Sequence, residues 1–100
     1  MSQLFFLKLG GSLITEKTNV HTARLATIQR IAREIADGWK GHPGLRLVLG
    51  HGSGSFGHVP AHRYGTRQGV STPAGWRGFT EVWHEARQLN QIMLESFYAA

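Results

Sequence analysis

An α/β fold built on a mostly parallel sheet is what this 100-residue sequence predicts, and three observations carry that reading. Two short apolar runs, Leu4 to Leu9 and Leu45 to Leu49, each stop at a glycine. Between them lies a stretch whose apolar residues recur with helical period. A strand, helix, strand order closes into a parallel pair through a right-handed crossover, because adjacent parallel strands need a long connection. Both runs lead into glycine-bearing loops, which belong together at one edge of such a sheet.

The elements follow in order. Leu4-Phe5-Phe6-Leu7-Lys8-Leu9 is nearly continuous in apolar residues and ends at Gly10-Gly11, the pattern of a strand buried on both faces. Lys8 is a charge inside that run; buried, it needs an anion, and on an edge strand it points to water. From Thr22, the residues Leu25, Ile28, Ala32, Ile35 and Trp39 recur at steps of three and four. That spacing predicts an amphipathic helix with Trp39 on its core face and Gly38 as its C-terminal cap. Gly41-His42-Pro43-Gly44 forms a turn into the second strand, which Gly50 ends. The stretch from His51 to Gly78 carries glycines at 52, 54, 57, 65, 69, 75 and 78 and prolines at 60 and 73, so it reads as loop with no long helix inside it. From Phe79 onward, Val82, Trp83, Ala86, Leu89, Met93 and Phe97 trace one helical face that runs to the last residue without a stop signal. Two strands fall short of the roughly five or six of a typical sheet, so the chain is expected to be part of a larger domain.

Composition narrows the function classes. With 41% apolar residues and 17% charged, a folded core is affordable and a disordered tail is excluded. Zero cysteines exclude a disulfide framework, a thiolate metal site and a cysteine nucleophile. No apolar run approaches the roughly 20 residues of a membrane span, and Leu4 to Leu7 has no basic flank before it, so a soluble cytoplasmic protein is the expectation. Eleven Lys and Arg against six Asp and Glu give a net charge of +5, which suits nucleic acid or a phosphorylated small molecule. The positive charges form no run, so charge alone does not choose between them.

The chemistry concentrates in the two loops. Gly10-Gly11-Ser12 follows the first strand, and Gly50-His51-Gly52-Ser53-Gly54-Ser55-Phe56-Gly57-His58 follows the second. Glycines let backbone amides approach an anion, and consecutive amides form a concave seat for phosphate oxygens. Two such loops side by side suggest two phosphates. Residues 52 to 57 also match G-x-G-x-x-G, but a dinucleotide loop opens straight into a helix and has an acidic residue about 20 positions on at a strand end. Here Pro60, Gly65 and Gly69 follow, and Glu81 falls in the last helix. Val59 fits the protein-kinase version of the loop, but no lysine-bearing strand follows; the Walker A pattern is absent. Lys17 lies seven residues past Gly10, the start of the first glycine pair, within reach of the same pocket, and His58 can offer a ring N–H to a phosphate oxygen. His58 and His62 lack the helix and the carboxylate of an H-E-x-x-H metal site.

Lys8-Leu9-Gly10-Gly11-Ser12, Thr15-Glu16-Lys17 and His51-Gly52-Ser53-Gly54-Ser55-Phe56-Gly57-His58 together resemble the amino acid kinase family over essentially the whole chain. The closing Ser-Phe-Gly-His is similar to its isopentenyl phosphate kinase and fosfomycin kinase branches. Ser53 departs from the pattern, standing where the family usually has glycine. The resemblance implies a three-layer α/β/α sandwich, of which this chain is the N-terminal part carrying the acceptor site and the phosphate loops. It further implies ATP-dependent phosphorylation of isopentenyl phosphate to isopentenyl diphosphate, in isoprenoid biosynthesis by an alternative mevalonate route, with Mg²⁺ and as a homodimer. Carried over by residue, Lys8, Leu9, Gly10, Gly11, Ser12 and Gly54 bind ATP; Lys17 stabilises the phosphoryl group in flight; and Gly52, Ser53 and His58 hold the acceptor phosphate. Phe79 and Val82, with Trp83 a further candidate, face the isoprenoid tail, unless they serve only the helix core. No general base is needed, because the acceptor phosphate is already a nucleophile.

Two rivals stand beside this reading. One keeps the family with another small phosphate or phosphonate acceptor such as fosfomycin; the other is a non-catalytic phosphate- or nucleic-acid-binding fragment, motivated by the charge and the three tryptophans. Members of the family are more than twice this long, so the chain is expected to be a truncated piece that is inactive alone.

Overall fold

The computed structural model describes residues 3–100. Strand β1 (Leu4–Leu9) pairs in parallel with β2 (Arg46–His51), in a register running from Leu4 opposite Arg46 to Leu9 opposite His51. The connection is helix α2 (Leu25–Lys40), as the periodicity requires. Ahead of it, Gly11–Ile14 makes a single helical turn, α1. After β2 come α3 (Gly54–Tyr64), a 3₁₀ turn (Thr66–Gln68) and the long α4 (Pro73–Ala99), which Pro73 opens and Thr72 caps by accepting from the Gly75 amide at 3.0 Å.

Several expectations need correcting. Helix α2 runs through Gly38 and is capped by Gly41, whose amide reaches the Asp37 carbonyl at 3.0 Å. Residues 51–78 are not loop throughout, because α3 occupies 11 of them and α4 begins six residues before Phe79. Of the glycines that suggested loop, Gly54 and Gly57 lie in α3 and Gly75 and Gly78 in α4, while Gly65 supplies the left-handed cap of α3 at φ +63°. Since the second glycine loop does open into a helix, the case against a dinucleotide fingerprint rests on the missing strand-end acid alone.

The strands are not buried on both faces. Leu9 is the one buried residue of β1, while Phe6 is 76% exposed and Phe5, Leu7, Val48 and Leu49 are also open. The sheet has two strands among the described residues, so little packs against its faces. Trp39 is likewise exposed, with its indole N–H donating to the Leu45 carbonyl at 3.0 Å.

The buried centre lies instead near the carboxyl ends of the strands. It joins Leu9 from β1, Ile14 from α1, Ile28 from α2, Phe56 from α3 and Leu89 and Met93 from α4. The molecule is accordingly a slab of 50 × 30 × 18 Å. Beside this core sits Thr15, fully buried. Its hydroxyl donates to the Gly11 carbonyl at 2.6 Å and accepts from the Ser55 amide at 3.2 Å, tying the first glycine loop to the start of α3.

Replacing Thr15 by Val keeps the shape but leaves the Ser55 amide without its acceptor, a loss of about 1–3 kcal/mol. Urea unfolding of Thr15→Val therefore gives a lower midpoint at unchanged slope; an unchanged midpoint would show that the hydroxyl contributes nothing to joining the loops.

Candidate active site

The two glycine loops meet at the ends of the strands. The Gly52 amide donates to the carbonyl of Leu9 at 2.9 Å, so the second loop is pinned to the last residue of β1. Contact between them is backbone to backbone. A Cβ on Gly11 would fall 2.5 Å from the Gly54 nitrogen, and one on Gly52 would fall 2.8 Å from the Gly11 nitrogen. Gly54 combines φ +49° with a Cβ position already filled by the Thr15 side chain and the Gly11 carbonyl. These positions need glycine because two chains cross where side chains would stand.

Helix α3 starts inside this junction with its positive dipole end at the glycine loop; the Ser55 amide is taken by the Thr15 hydroxyl, and the Phe56 and Gly57 amides reach the Ser53 carbonyl at 2.9 and 3.4 Å. Ser53 occupies the N-cap position without making a side-chain cap bond, leaving its hydroxyl uncommitted to the helix. His51 is held at both nitrogens: Nδ1 lies 2.8 Å from the Gly52 carbonyl and Nε2 lies 2.9 Å from the Asn90 amide nitrogen. With Asn90 donating to Nε2, the ring proton sits on Nδ1 and is donated to Gly52.

Beyond the loop, α3 and α4 flank a cleft of about 940 Å³. Ser53, Gly57 and His58 line it from the start of α3; Phe79, Val82, Trp83 and Ala86 form an apolar wall from α4. Residues 65–68 line the cleft as well. Phe79 is 52% and Trp83 67% exposed, so neither serves the core; Val82 is partly covered. Below the cleft the helices cross where Gly78 abuts the Tyr64 ring. Hydrogen bonding toward the Glu81 carboxylate, aided by partial desolvation, holds the Tyr64 phenol above its ordinary pKa.

The residues singled out from the sequence thus fall into three groups. Gly10, Gly11, Ser12, Gly52 and Gly54 gather at the loop junction, and Lys8 stands exposed on β1 opposite Gly50. Leu9 is buried, and its carbonyl is engaged by Gly52. Ser53, His58, Phe79, Val82 and Trp83 share the cleft. Lys17 is exposed on a separate hairpin, residues 15–23, closed by the antiparallel bridge of Thr15 with Ala23 and by the Glu16 amide on the Thr22 carbonyl at 2.8 Å. Sequence reasoning missed the supports of this site, namely Thr15, His21, Ser55, Glu85 and Asn90, because each acts through a contact that no spacing reveals. Contrary to expectation, His58 and His62 do lie on a helix, four residues apart in α3, but among the described residues no three His, Asp or Glu side chains converge.

Known proteins share this fold. Residues 3–100 match the Amino acid kinase family. The chain is 31% identical over 102 residues to the isopentenyl phosphate kinase of Methanocaldococcus jannaschii, covering 93% of this chain and 38% of that protein. To the isopentenyl phosphate kinase of Thermoplasma acidophilum it is 32% identical over 93 residues, covering 93% and 36%. The crystal structure of the T. acidophilum isopentenyl phosphate kinase product complex superposes with a TM-score of 0.83 at 30% identity, over 98% of this chain and 39% of the other. An isopentenyl phosphate kinase substrate complex superposes equally well, at 0.83 and 30% identity, over 99% and 39%. The chain spans well under half the length of these relatives. Its glycine loops, its parallel β1–β2 pair and the match along residues 3–100 lead to one statement: the chain belongs to the amino acid kinase family.

Proposed function

We propose that this chain is the N-terminal, acceptor-binding part of an ATP-dependent kinase that converts isopentenyl phosphate to isopentenyl diphosphate. The observation that supports it most directly is the two-sided cleft. Ser53 and His58 line it from the start of α3, and an apolar wall of Phe79, Val82, Trp83 and Ala86 lines it from α4. Such a cleft suits a ligand with a phosphate head and a short hydrocarbon tail. A small phosphonate such as fosfomycin would leave most of that wall uncovered, which costs binding in proportion to apolar area.

Phosphoryl transfer asks for alignment and for neutralised charge more than for bond-making by the protein. In this reading Gly52, the Ser53 hydroxyl and the His58 ring hold the acceptor phosphate. Lys8, Gly10, Gly11, Ser12 and Gly54 cradle the phosphates of ATP, with the Leu9 backbone positioning the loop. Lys17 balances charge on the group in transit. Mg²⁺ would add positive charge at the phosphates in the same reading. A homodimer and a cytoplasmic location belong to the same reading.

Isopentenyl phosphate titrated into the 100-residue chain in a calorimeter releases heat, and the signal is lost in His58→Ala. A folded wild-type chain that gives no heat would count against an acceptor site in this part of the kinase. In the complete kinase containing this chain, His58→Ala lowers turnover by about 100-fold or more while the melting temperature stays put, because His58 is exposed. Unchanged turnover would overturn its role. Phe79→Ala removes contact with the tail, so KM for isopentenyl phosphate rises by about tenfold with kcat little changed. Assayed beside it, KM for fosfomycin does not follow; an equal rise for both would mean that Phe79 does not read the tail.

A further inference from the structure

His21 combines features that its place in a surface hairpin does not require. Its backbone sits at φ +53°, the left-handed region sparsely used by residues other than glycine. Its ring packs on the Phe56 ring at a centroid distance of 4.0 Å and a tilt of 41°. Nδ1 of the same ring meets the Glu85 carboxylate on α4. Around it the hairpin is tied to the first turn of α3, with the His21 amide directed at the Ser55 carbonyl at 3.4 Å and the Thr22 amide at the Ser55 hydroxyl at 3.3 Å. Lys17 rides on this hairpin, whose base is held by the Thr15 to Ala23 bridge, by the Glu16 amide on the Thr22 carbonyl, and by Arg24, whose Nε donates to the Thr15 carbonyl at 3.0 Å and whose guanidinium pairs with Glu16 at 3.6 Å.

We propose that His21 is a positioning residue for phosphoryl transfer: clasped between Phe56 and Glu85, it fixes the hairpin that carries Lys17 against the glycine-loop end of α3. The proposal rests on the reading of Lys17 given above. A lysine on a flexible stem stabilises a migrating charge only when its backbone is fixed, because placement errors of an ångström cost orders of magnitude in rate. Phe56 is buried and belongs to the same turn as Ser53 and Gly57, so the ring stack sets the hairpin by reference to the acceptor end of the cleft. Glu85 adds a second fixed point from the helix that forms the apolar wall. One imidazole therefore refers Lys17 to both sides of the cleft.

The test is a double-mutant cycle in the complete kinase containing this chain, reading kcat and acceptor KM with isopentenyl phosphate. His21→Ala lowers kcat by about tenfold and leaves KM nearly unchanged, while His21→Phe, which keeps the stack on Phe56, recovers part of the loss. Combined with Lys17→Ala, His21→Ala costs nothing further, because the residue it serves is gone. Glu85→Gln gives a smaller loss that vanishes in the same background, and it reports on the clasp even if His21→Ala fails to fold. A His21→Ala loss that multiplies the Lys17→Ala loss overturns the positioning role and leaves the reading of Lys17 intact. A Lys17→Ala enzyme with full turnover overturns the reading of Lys17 and the positioning role together.

Discussion

Everything at this site depends on two backbone segments approaching more closely than side chains allow. Gly11, Gly52 and Gly54 cross with no room for a Cβ, and the buried Thr15 hydroxyl bonds both segments at once. That junction brings the end of β1, the end of β2 and the start of α3 to one place. A buried hydroxyl with both a donor and an acceptor role satisfied is stabilising, whereas leaving its partner amide bare would be costly. The junction therefore tolerates little displacement.

The rest of the architecture serves to brace it. Helix α4 sends Leu89 and Met93 into the core, Asn90 to His51, Glu85 to His21, and lines one side of the cleft with Phe79, Val82 and Trp83. One rigid rod thus contacts the glycine loop, the hairpin and the cleft. Spacing along α4 explains how: residues three or four apart share a face, and its 27 residues present several faces in succession.

The sequence made the outline legible because apolar period is a strong signal. The strand, helix, strand order, the parallel pairing and the two glycine loops were all readable from Leu4–Gly11, Leu25–Trp39 and Leu45–Gly57, and the comparison with solved kinases agrees with them. The helix α3 was not legible. Its glycines and Pro60 argue locally for loop, and only packing overrides them: Gly57 and Pro60 are buried, and Gly65 lies outside the helix as its cap. Burial of the strands was also misread, since an apolar run reports what a residue can bury against and not what is beside it. The site's supports were illegible for another reason. Thr15 to Ser55, His21 to Glu85 and His51 to Asn90 join residues 39 to 64 positions apart, and nothing in either segment marks its partner.

The slab shape has a consequence for how the chain opens. In most α/β domains the strands are the last amides to exchange with solvent, because the sheet lies in the middle. Among the described residues the sheet is a two-stranded rim and the dry centre lies among helices, with Ile28, Leu89 and Met93 at its heart. The order of protection is thereby inverted, and the middle turns of α2 and α4 should outlast β1 and β2 when deuterium replaces hydrogen in this polypeptide.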